Sequence, residues 1–416
     1  MADIVVRSLT ANDSRADHLD LSIRAFGPHD EVILRAVADP VIADGRALAA
    51  FDGDRMVGAA LFNDLRQWWF GKVVPMAGVS GVTVAPEYRG RGVGRGLMTA
   101  LTELMAVRGY PLSALYPATT HIYRQLGWEL AGARYEAKLP ARSLLDLPRP
   151  AAPPPAAPPP AALPPAALPP VRRPGPGDAA QILAVVGAVH EQARDCGPVT
   201  WDERTMRGWL TAPGKYADSH KYAFLAPDGF AAYRWRGNDE LYVHRVLAAS
   251  AETTLALWSI IASHSSVADT VTAQVTPRDP LWWLLREQDA EVSERDPWLL
   301  RLLDAPAAIA ARGFPAIDID VPLHITDEQL PHNSGLWDLT VRSSGEARLV
   351  ITDAGACAGA AARPALALGA RGLAALYAGT PVSTLRRAGL AAGGEPRSDA
   401  ALDAAFAASS FMLDGF

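Results

Sequence analysis

The most constraining stretch of the chain is Val82–Met98, which reads Val-Thr-Val-Ala-Pro-Glu-Tyr-Arg-Gly-Arg-Gly-Val-Gly-Arg-Gly-Leu-Met. It opens with β-branched residues, breaks at Pro86, alternates glycine with arginine or valine, and then becomes apolar at helical spacing. This order predicts a strand, a glycine-rich turn and the start of a helix. Glycine lets backbone N–H groups approach an anion, and a helix N-terminus adds partial positive charge. Because Arg89, Arg91 and Arg95 can fork onto phosphate oxygens, we predict an anion-binding loop.

Two well-known phosphate-binding patterns fit this loop poorly. No Gly-Lys-Ser/Thr follows it, and no acidic residue stands about twenty positions further on at the end of a second strand. The loop resembles instead the Arg-x-Arg-Gly-x-Gly signature of the GNAT N-acetyltransferases, whose matching positions here are Arg89, Gly90, Arg91, Gly92, Val93 and Gly94. The resemblance implies that the loop holds the pyrophosphate of acetyl-CoA. A solvated turn that happens to carry arginines is the alternative.

Composition limits the classes of protein to consider. A chain of 416 residues, 49% apolar and 20% charged, is predicted to form several globular domains with ample core. A net charge of −6, without a region rich in uncompensated Lys and Arg, argues against nucleic-acid binding. No secretion signal and no apolar run of bilayer length is visible, so we expect a cytoplasmic protein without a membrane partner. Cys196 and Cys357 lack metal-ligand spacing, so they are predicted to be buried thiols and no metal is expected.

The first 147 residues alternate between strand and helix patterns in an order typical of the GNAT fold. Mixed strands come first, followed by strand, loop, helix, strand, helix and strand, the last reaching Leu139. The segment His121–Glu129 resembles the superfamily's Tyr-x-x-x-Gly-Phe motif, with Trp128 in the aromatic place. We therefore predict a catalytic, acetyl-CoA-binding GNAT domain over residues 1–147.

Residues 148–176 hold 14 of the 34 prolines, mixed with alanine and without any acid. Proline removes a backbone donor and fixes φ, so this run predicts an extended, polyproline-like linker. A recognition site for a proline-binding partner is the alternative.

Residues 177–304 repeat the element order of the first domain without its loop. The strand pattern Tyr242–Leu247 stands where Val82–Val84 stands in the first copy, but Ala248-Ala-Ser-Ala251 replaces the Arg-Gly run. We predict a degenerate GNAT-like domain that does not bind acetyl-CoA.

The pattern changes again from Ala305 to Phe416. Strands are predicted at Ala316–Pro322, Gly335–Val341 and Ala347–Thr352, and helices at Ala365–Ala378, Pro381–Ala388 and Ser398–Ala407. The segment Leu366–Leu390 looks like a sterol-carrier-protein-like α+β domain. A mixed α/β and α+β chain, with tandem GNAT domains and this third domain, resembles the Eis (enhanced intracellular survival) family of acetyltransferases.

That resemblance implies an activity and a set of site residues. Family members acetylate amines with acetyl-CoA, notably on aminoglycosides and in some cases on protein lysines, and assemble as homohexamers. By resemblance, Tyr123 is the general acid and the terminal carboxylate of Phe416 is the general base. The cofactor-binding residues would be Val82, Thr83 and Val84 through strand main chain, the loop from Arg89 to Arg95, and Ala118 with Thr119.

Each of these roles has an alternative that the residues alone leave open. Tyr123 is either a proton donor or a packed aromatic, and the apolar chain end predicts a docked tail with or without chemistry. Asp414 is either an attractant for a cationic substrate or a solvated turn acid. The acidic loop Gly27–Glu31 and the cluster Trp68-Trp69-Phe70 are candidate substrate walls, or a helix start and core packing. A non-enzymatic protein that holds an apolar ligand in the third domain is the competing class.

Overall fold

The computed structural model describes residues 4–28, 31–148, 168–211, 221–352 and 364–416. Mixed strands and helices follow one another up to residue 148. They are β1 Ile4–Ser8, α1 Arg15–Phe26, α2 Glu31–Ala43, β2 Ala47–Asp52, β3 Arg55–Trp69, β4 Lys72–Val84, α3 Val93–Val107, β5 Leu112–Leu115, α4 Thr120–Gln125 and β6 Glu129–Pro140.

The second stretch repeats this alternation and the third adds a smaller sheet with helices. The second contains α5 Ala179–Ala193, β7 Cys196–Thr200, α6 Glu203–Thr211, β8 Lys221–Ala226, β9 Gly229–Arg236, β10 Glu240–Ala248, α7 Ala251–Ala262, β11 Thr270–Val275, α8 Leu281–Leu284 and β12 Glu291–Leu302. The third contains α9 Ala305–Ala311, β13 Ile319–Thr326, β14 Gly335–Val341, β15 Ala347–Ile351, β16 Leu366–Gly369, α10 Ala370–Tyr377, α11 Val382–Arg387, β17 Ala391–Gly393 and α12 Pro396–Phe406.

Two compact units arise from discontinuous segments of the chain. Unit 1 comprises the residues up to Gly132, Pro297–Ser410 and Gly415–Phe416, and unit 2 comprises Ala133–Asp296 and Phe411–Asp414. The domain boundaries predicted above, at residues 147, 176 and 304, stay a prediction. Among the described ranges, every helix is too short or too polar to traverse a bilayer.

Unit 1 contains the loop predicted to bind an anion and two sheets. In its larger sheet β1, β2, β3 and β4 pair antiparallel in that order, β5 joins β4 in parallel, and Leu299–Leu302 of β12 pairs antiparallel with β5. Helix α3 packs on this sheet through a buried stripe consisting of Val93, Leu97, Met98, Leu101 and Met105. Such an i, i+4, i+8 stripe is what makes the segment an amphipathic helix.

The smaller sheet of unit 1 has the order β15-β14-β13-β16-β17. The buried guanidinium of Arg301 connects two parts of this unit, since it donates to Leu126 O at 3.0 Å and to Asp327 Oδ1 at 2.7 Å. Asp327 in turn accepts from the backbone N–H of Leu330 at 3.0 Å. Both side chains are almost fully buried, at 1% and 3% exposed. Because water cannot reach them, each charge is stabilised by the opposite charge of the other.

Unit 2 has one sheet, in which β8, β9 and β10 pair antiparallel, β11 joins β10 in parallel, and the Tyr135–Pro140 part of β6 pairs antiparallel with β11. In sequence, strand β6 follows the elements of the first GNAT copy, but its Tyr135–Pro140 part pairs with the sheet of the second copy. In the core of this unit, Trp258 and Ile261 of α7 pack in one cluster with the sheet residues Val243 and Val271.

Some of the elements predicted from the pattern were wrong. The helix predicted at Ala365–Ala378 is strand β16 followed by α10, and the strand predicted from Ala316 begins at Ile319. The pattern also missed α2, β7, α6, β12 and α9.

His29, Asp30, Cys357 and residues 149–167 of the predicted linker lie outside the described residues. The described end of that linker is hydrogen-bonded to β8, because the backbones of Arg172 and Leu225 exchange two hydrogen bonds of 3.0 and 2.8 Å.

Candidate active site

The site begins where strands β4 and β5 part. They pair in parallel from Met76 opposite Leu112 to Val79 opposite Leu115, where β5 ends, while β4 continues to Val84. One edge of Ser80–Val84 is thus without a strand partner among the described residues. Opposite β3, Gly81 and Val82 together face the single residue Ala60, and Gly81 has φ +61°. This is a β-bulge whose first residue is a left-handed glycine, and bulges redirect the strand where they occur.

We call the gap beside Ser80–Val84 the first cleft. Backbone N–H and C=O groups are obligatory hydrogen-bonding groups, so an unpaired strand edge is a ready partner for an amide-containing chain. Val82 and Val84 are half-buried and Thr83 is buried, with its main chain paired to Ala59 of β3. Only one main-chain edge of these three residues is therefore available to a ligand.

The loop predicted to bind an anion runs directly into the N-terminus of α3. Gly92 is the N-cap residue, with φ +83°, and no side chain caps this helix. The first-turn N–H groups of Val93 and Gly94 therefore have no capping side chain, which is the arrangement that favours an anion.

Three exposed cations surround this helix end. Among the described residues, the side chains of Arg89 and Arg95 form no hydrogen bond or ion pair, and the Arg91 guanidinium lies over the Tyr88 ring at 5.0 Å. Nearby Glu87 is engaged by Arg55, so it does not neutralise them. The predicted loop residues thus form one concentration of uncompensated positive charge.

The structure brings the loop, the end of β4 and α4 together. A Cβ added at Gly94 would lie 3.2 Å from Cδ1 of Ile122 in α4 and 3.5 Å from Cγ2 of Val84. Ala118 and Thr119, at the start of α4, are exposed, and Thr119 is an N-cap without a side-chain cap bond. Their backbone is accessible to a ligand beside the first cleft.

Tyr123 lies on α4 with its ring buried against Trp128, the ring centroids 6.4 Å apart. Burial raises the pKa of its phenol, because the phenolate is poorly solvated there. No described residue hydrogen-bonds to its hydroxyl group. The residue is therefore both packed and protonated, and these two readings of the sequence are compatible.

The last residue of the chain reaches the same sheet region. A Cβ added at Gly78 of β4 would lie 2.7 Å from Cδ2 of Phe416, and the Phe416 ring lies 5.4 Å from that of Tyr116, just past the end of β5. The predicted docking of the tail is confirmed, since Phe411, Met412 and Leu413 are 3%, 1% and 4% exposed.

Side-chain contacts decide two other expectations. Both readings of Asp414 were wrong, because it is buried in an ion pair with Arg245. Trp69 is fully buried against Tyr377 at 4.8 Å, which makes it core and not a substrate wall. Glu31 begins α2, but His29 and Asp30 lie outside the described residues, so the role of the acidic loop stays a prediction.

Comparison with known proteins agrees with this geometry. Profiles described as acetyltransferase (GNAT) domain match residues 5–131 and 197–302, and a sterol carrier protein domain matches 305–413. The N-acetyltransferase Eis of Mycobacterium tuberculosis is 30% identical over 339 residues, covering 76% of this chain and 75% of that protein. The chain belongs to the Eis family of GNAT N-acetyltransferases. The competing idea of a non-enzymatic binder is therefore not retained.

Solved structures extend the likeness over the full length of this Eis-family enzyme. A GCN5-related N-acetyltransferase from Kribbella flavida is 42% identical with a TM-score of 0.86, covering 100% of this chain and 98% of that one. Eis1 from Mycobacterium abscessus, at 24% identity and a TM-score of 0.75 over 100% of both chains, has the same fold. The predicted tandem GNAT domains and the sterol-carrier-like third domain are confirmed.

GNAT enzymes use acetyl-CoA, and the residues present fit its charges. An uncapped helix end with three unpaired arginines suits a pyrophosphate, and the unpaired edge of β4 suits the amides of the pantetheine arm. In the second GNAT copy the equivalent helix, α7, is capped by its own chain, since Ser250 Oγ accepts from the Thr253 N–H at 3.3 Å. Within the described residues no group of three or more His, Cys, Asp or Glu side chains is placed to hold a metal.

Sequence reasoning missed a buried carboxylate that holds α4. Glu129, with its side chain 5% exposed, accepts from Arg124 Nε at 2.9 Å and from Arg371 Nε at 2.7 Å. Burial acts to raise the Glu129 pKa, but the Leu130 N–H and the two arginines outweigh it and lower the pKa. Because Arg124 adjoins Tyr123, this pair of bonds fixes the six-residue helix that carries the phenol. No local signal reveals it, since Arg371 is far away in sequence.

Replacing Arg89, Arg91 or Arg95 by Ala should weaken acetyl-CoA binding about 3- to 10-fold each, because each removes one charge near the pyrophosphate. The loss should shrink as KCl rises, since exposed charges are screened. Isothermal titration calorimetry with acetyl-CoA over a KCl series measures this. Arg207→Ala, which breaks an exposed pair with Glu203 in unit 2, is the matched control. Equal losses in that control would contradict the assignment.

Proposed function

We propose that this Eis-family enzyme transfers the acetyl group of acetyl-CoA directly to amines of a polycationic small molecule, an aminoglycoside-like substrate, without an acyl-enzyme intermediate. The observation that carries the proposal is the uncapped α3 N-terminus with three unpaired arginines beside the unpaired edge of β4. Cys196 supplies no alternative nucleophile in the catalytic fold, because it belongs to unit 2 and is 3% exposed.

The cofactor supplies an activated acetyl thioester, and the residues of this chain bind and orient it. In the proposal, the backbone of Val82, Thr83 and Val84 pairs with the pantetheine amides. The loop from Arg89 to Arg95 holds the pyrophosphate, and Ala118 and Thr119 contact the cofactor from the start of α4. Binding the cofactor at both ends fixes the thioester against the amine, which converts a bimolecular encounter into a local one.

Tyr123 is proposed as the general acid. The departing thiolate needs a proton, and a phenol with a reference pKa of about 10 can donate one to a thiolate whose conjugate acid is near ~8.5. Burial raises the Tyr123 pKa further, so the phenol keeps its proton throughout the neutral range. Its hydroxyl group, which has no partner among the described residues, is available for this transfer.

The terminal carboxylate of Phe416 is proposed as the general base. The attacking amine must be neutral and must then lose a proton, and an acceptor held beside the first cleft serves both needs. The contacts of the Phe416 ring with Gly78 of β4 and with Tyr116, just past β5, support this assignment. A chain terminus can serve as the base because its α-carboxylate belongs to the main chain, so that the side chain of the last residue is left to pack against the sheet.

The substrate class rests on the Eis resemblance and, weakly, on the net charge of −6. A protein lysine is the second substrate candidate, because it presents the same primary amine. The same resemblance leads us to propose a homo-oligomer, specifically a hexamer.

Acetyl-CoA consumption should be measured with aminoglycosides, lysine-containing peptides and glucosamine, which carries a single amine. We expect kcat/KM to be highest for the aminoglycosides, since several cationic amines raise the encounter rate with an anionic protein. Highest turnover with the peptides would select the lysine alternative, and no turnover with either class would remove the substrate proposal.

Tyr123→Phe should lower kcat about 10²-fold, which is the usual contribution of a general acid. It should leave acetyl-CoA affinity unchanged, because the ring packing against Trp128 persists. In the native enzyme activity should fall as pH rises through the raised phenol pKa, and this alkaline limb should be absent in the variant. Stopped assays from pH 6 to about pH 11 test this; a retained alkaline limb would assign the acid to another group.

Deleting Phe416 should also lower kcat about 10²-fold, because the new terminal carboxylate is withdrawn by up to ~3.5 Å. Phe416→Leu is the matched control, since it keeps the carboxylate in place and an apolar side chain beneath it. That control should keep most of the activity. Steady-state kinetics with saturating acetyl-CoA distinguish them, and full activity in the deletion would sink the terminal-base assignment.

A further inference from the structure

Unit 2 retains the strand geometry that forms the cofactor cleft in unit 1. Strands β10 and β11 pair in parallel from Glu240 opposite Thr270 to Val243 opposite Ala273, and β10 then continues to Ala248. The parting again coincides with a bulge, because His244 has no counterpart between Tyr233 and Ala232 of β9. We call the gap beside Arg245–Ala248 the second cleft. It corresponds, element for element, to the first cleft in unit 1.

This chain's own C-terminal tail contacts β10, the strand that borders the second cleft, through Leu247 and Arg245. The N–H of Phe411 donates to Cys196 O at 3.1 Å and the N–H of Met412 donates to Ala133 O at 3.1 Å. The side chains of Phe411 and Leu413 pack in one apolar cluster with Leu247 of β10 and Val189 of α5. The tail thus makes these main-chain hydrogen bonds to β7 and β6 and its apolar contacts to β10 and α5, beside the cleft that corresponds to the proposed pantetheine site.

The chain is adapted for this close approach. Gly197 has φ +110°, and a Cβ there would overlap the carbonyl oxygen of Phe411. Any other residue would therefore both strain the backbone and displace the tail.

A buried ion pair ends this docked segment. Arg245, on β10 immediately after the bulge, donates to Oδ1 of Asp414, and the two side chains are 10% and 6% exposed. The Trp201 ring lies 5.4 Å from the guanidinium carbon and limits its orientation. Phe416 lies two residues beyond Asp414, so its carboxylate lies within roughly 7 Å of chain from this anchor.

We propose that the second cleft is the docking site of the C-terminal tail, and that Arg245 is a positioning residue that sets the Phe416 carboxylate for proton transfer. This inference rests on the proposed role of that carboxylate as general base. Arg245 itself touches neither substrate nor cofactor in this scheme. It acts through Asp414, by fixing the point from which the last two residues extend.

The variant Arg245→Met keeps the length of the side chain but leaves the Asp414 carboxylate without its buried partner, which favours release of the tail. We expect kcat to fall about 10- to 100-fold with acetyl-CoA affinity unchanged. Arg245→Lys, which retains the charge, should recover part of the loss. Arg207→Met removes an arginine from an exposed pair in the same unit and should behave as the native enzyme.

Combination with the Phe416 deletion separates positioning from a general loss of stability. If Arg245 acts through the terminal carboxylate, Arg245→Met should cost little more activity once Phe416 is absent, because both changes remove the same function. Multiplication of the two losses would overturn the positioning role.

Tail docking is measured independently of activity by carboxypeptidase digestion followed by intact mass spectrometry. The native chain should resist trimming beyond Gly415–Phe416, whereas Arg245→Met should lose residues into the 411–414 segment. Resistance in that variant, with native kcat, would overturn the inference. Rapid trimming in a time course where freshly prepared Arg245→Met still has native kcat would instead reject the terminal-base proposal. Should Arg245→Met not fold, Asp414→Asn, which keeps a hydrogen-bonding side chain, takes its place with the same expectations.

Discussion

The early parting of two parallel strands is the constraint on which both GNAT copies depend. A parallel sheet satisfies its backbone groups only while its strands stay adjacent, so a strand that continues alone presents N–H and C=O groups that need partners. In unit 1 this happens after Val79, at the glycine bulge, and the free edge faces the proposed pantetheine site. In unit 2 it happens after Val243, and the chain's own tail packs against Leu247 beside the gap.

The two copies differ most clearly at the start of the helix that follows the bulged strand. Helix α3 begins at Gly92 without a side-chain cap, whereas α7 begins at Ser250, whose hydroxyl accepts from the Thr253 N–H. A capped first turn has fewer free donors to offer an anion, and the segment Ala248–Ala251 contributes no cation. The second copy has therefore kept its cleft while losing the phosphate end of a cofactor site. A cleft in that condition suits a peptide better than a nucleotide.

Sequence patterns located the loop and the order of the elements because those signals are local. Strand β4, the glycine turn and α3 lie within one short stretch. The residue types of Gly92 and Arg91 alone indicate a tight turn and a candidate phosphate contact. The helix expected over Ala365–Ala378 failed for the opposite reason. Leu366–Gly369 has a helix-like composition, but it pairs in parallel with Leu323–Thr326 of β13, and this distant partner decides its conformation. Helix α2 was missed because Pro40 lies inside it and obscures its pattern.

The candidate site was predictable only to the extent that single residues carry chemistry. Tyr123 and the loop arginines could be named from motifs, and the apolar chain end predicted a docked tail. Glu129 between Arg124 and Arg371, and Arg245 with Asp414, could not be found, because each joins residues far apart in sequence. An acid two positions before the last residue of an apolar chain end is a weak signal that becomes informative only when its partner is known.

The Arg245–Asp414 pair is better understood as a determinant of register than as a source of stability. Burying two charges costs solvation that their attraction roughly repays, and an apolar pair of the same volume often stabilises a fold as well. Apolar contacts such as Leu413 against Leu247, however, tolerate a small slide of an extended peptide along its cleft. A charged hydrogen bond does not, because a displaced Asp414 would leave the Arg245 guanidinium buried and unpaired. If the last carboxylate of the chain is the base, such a slide would move it by the rise of a residue, and the ion pair is the contact that prevents this.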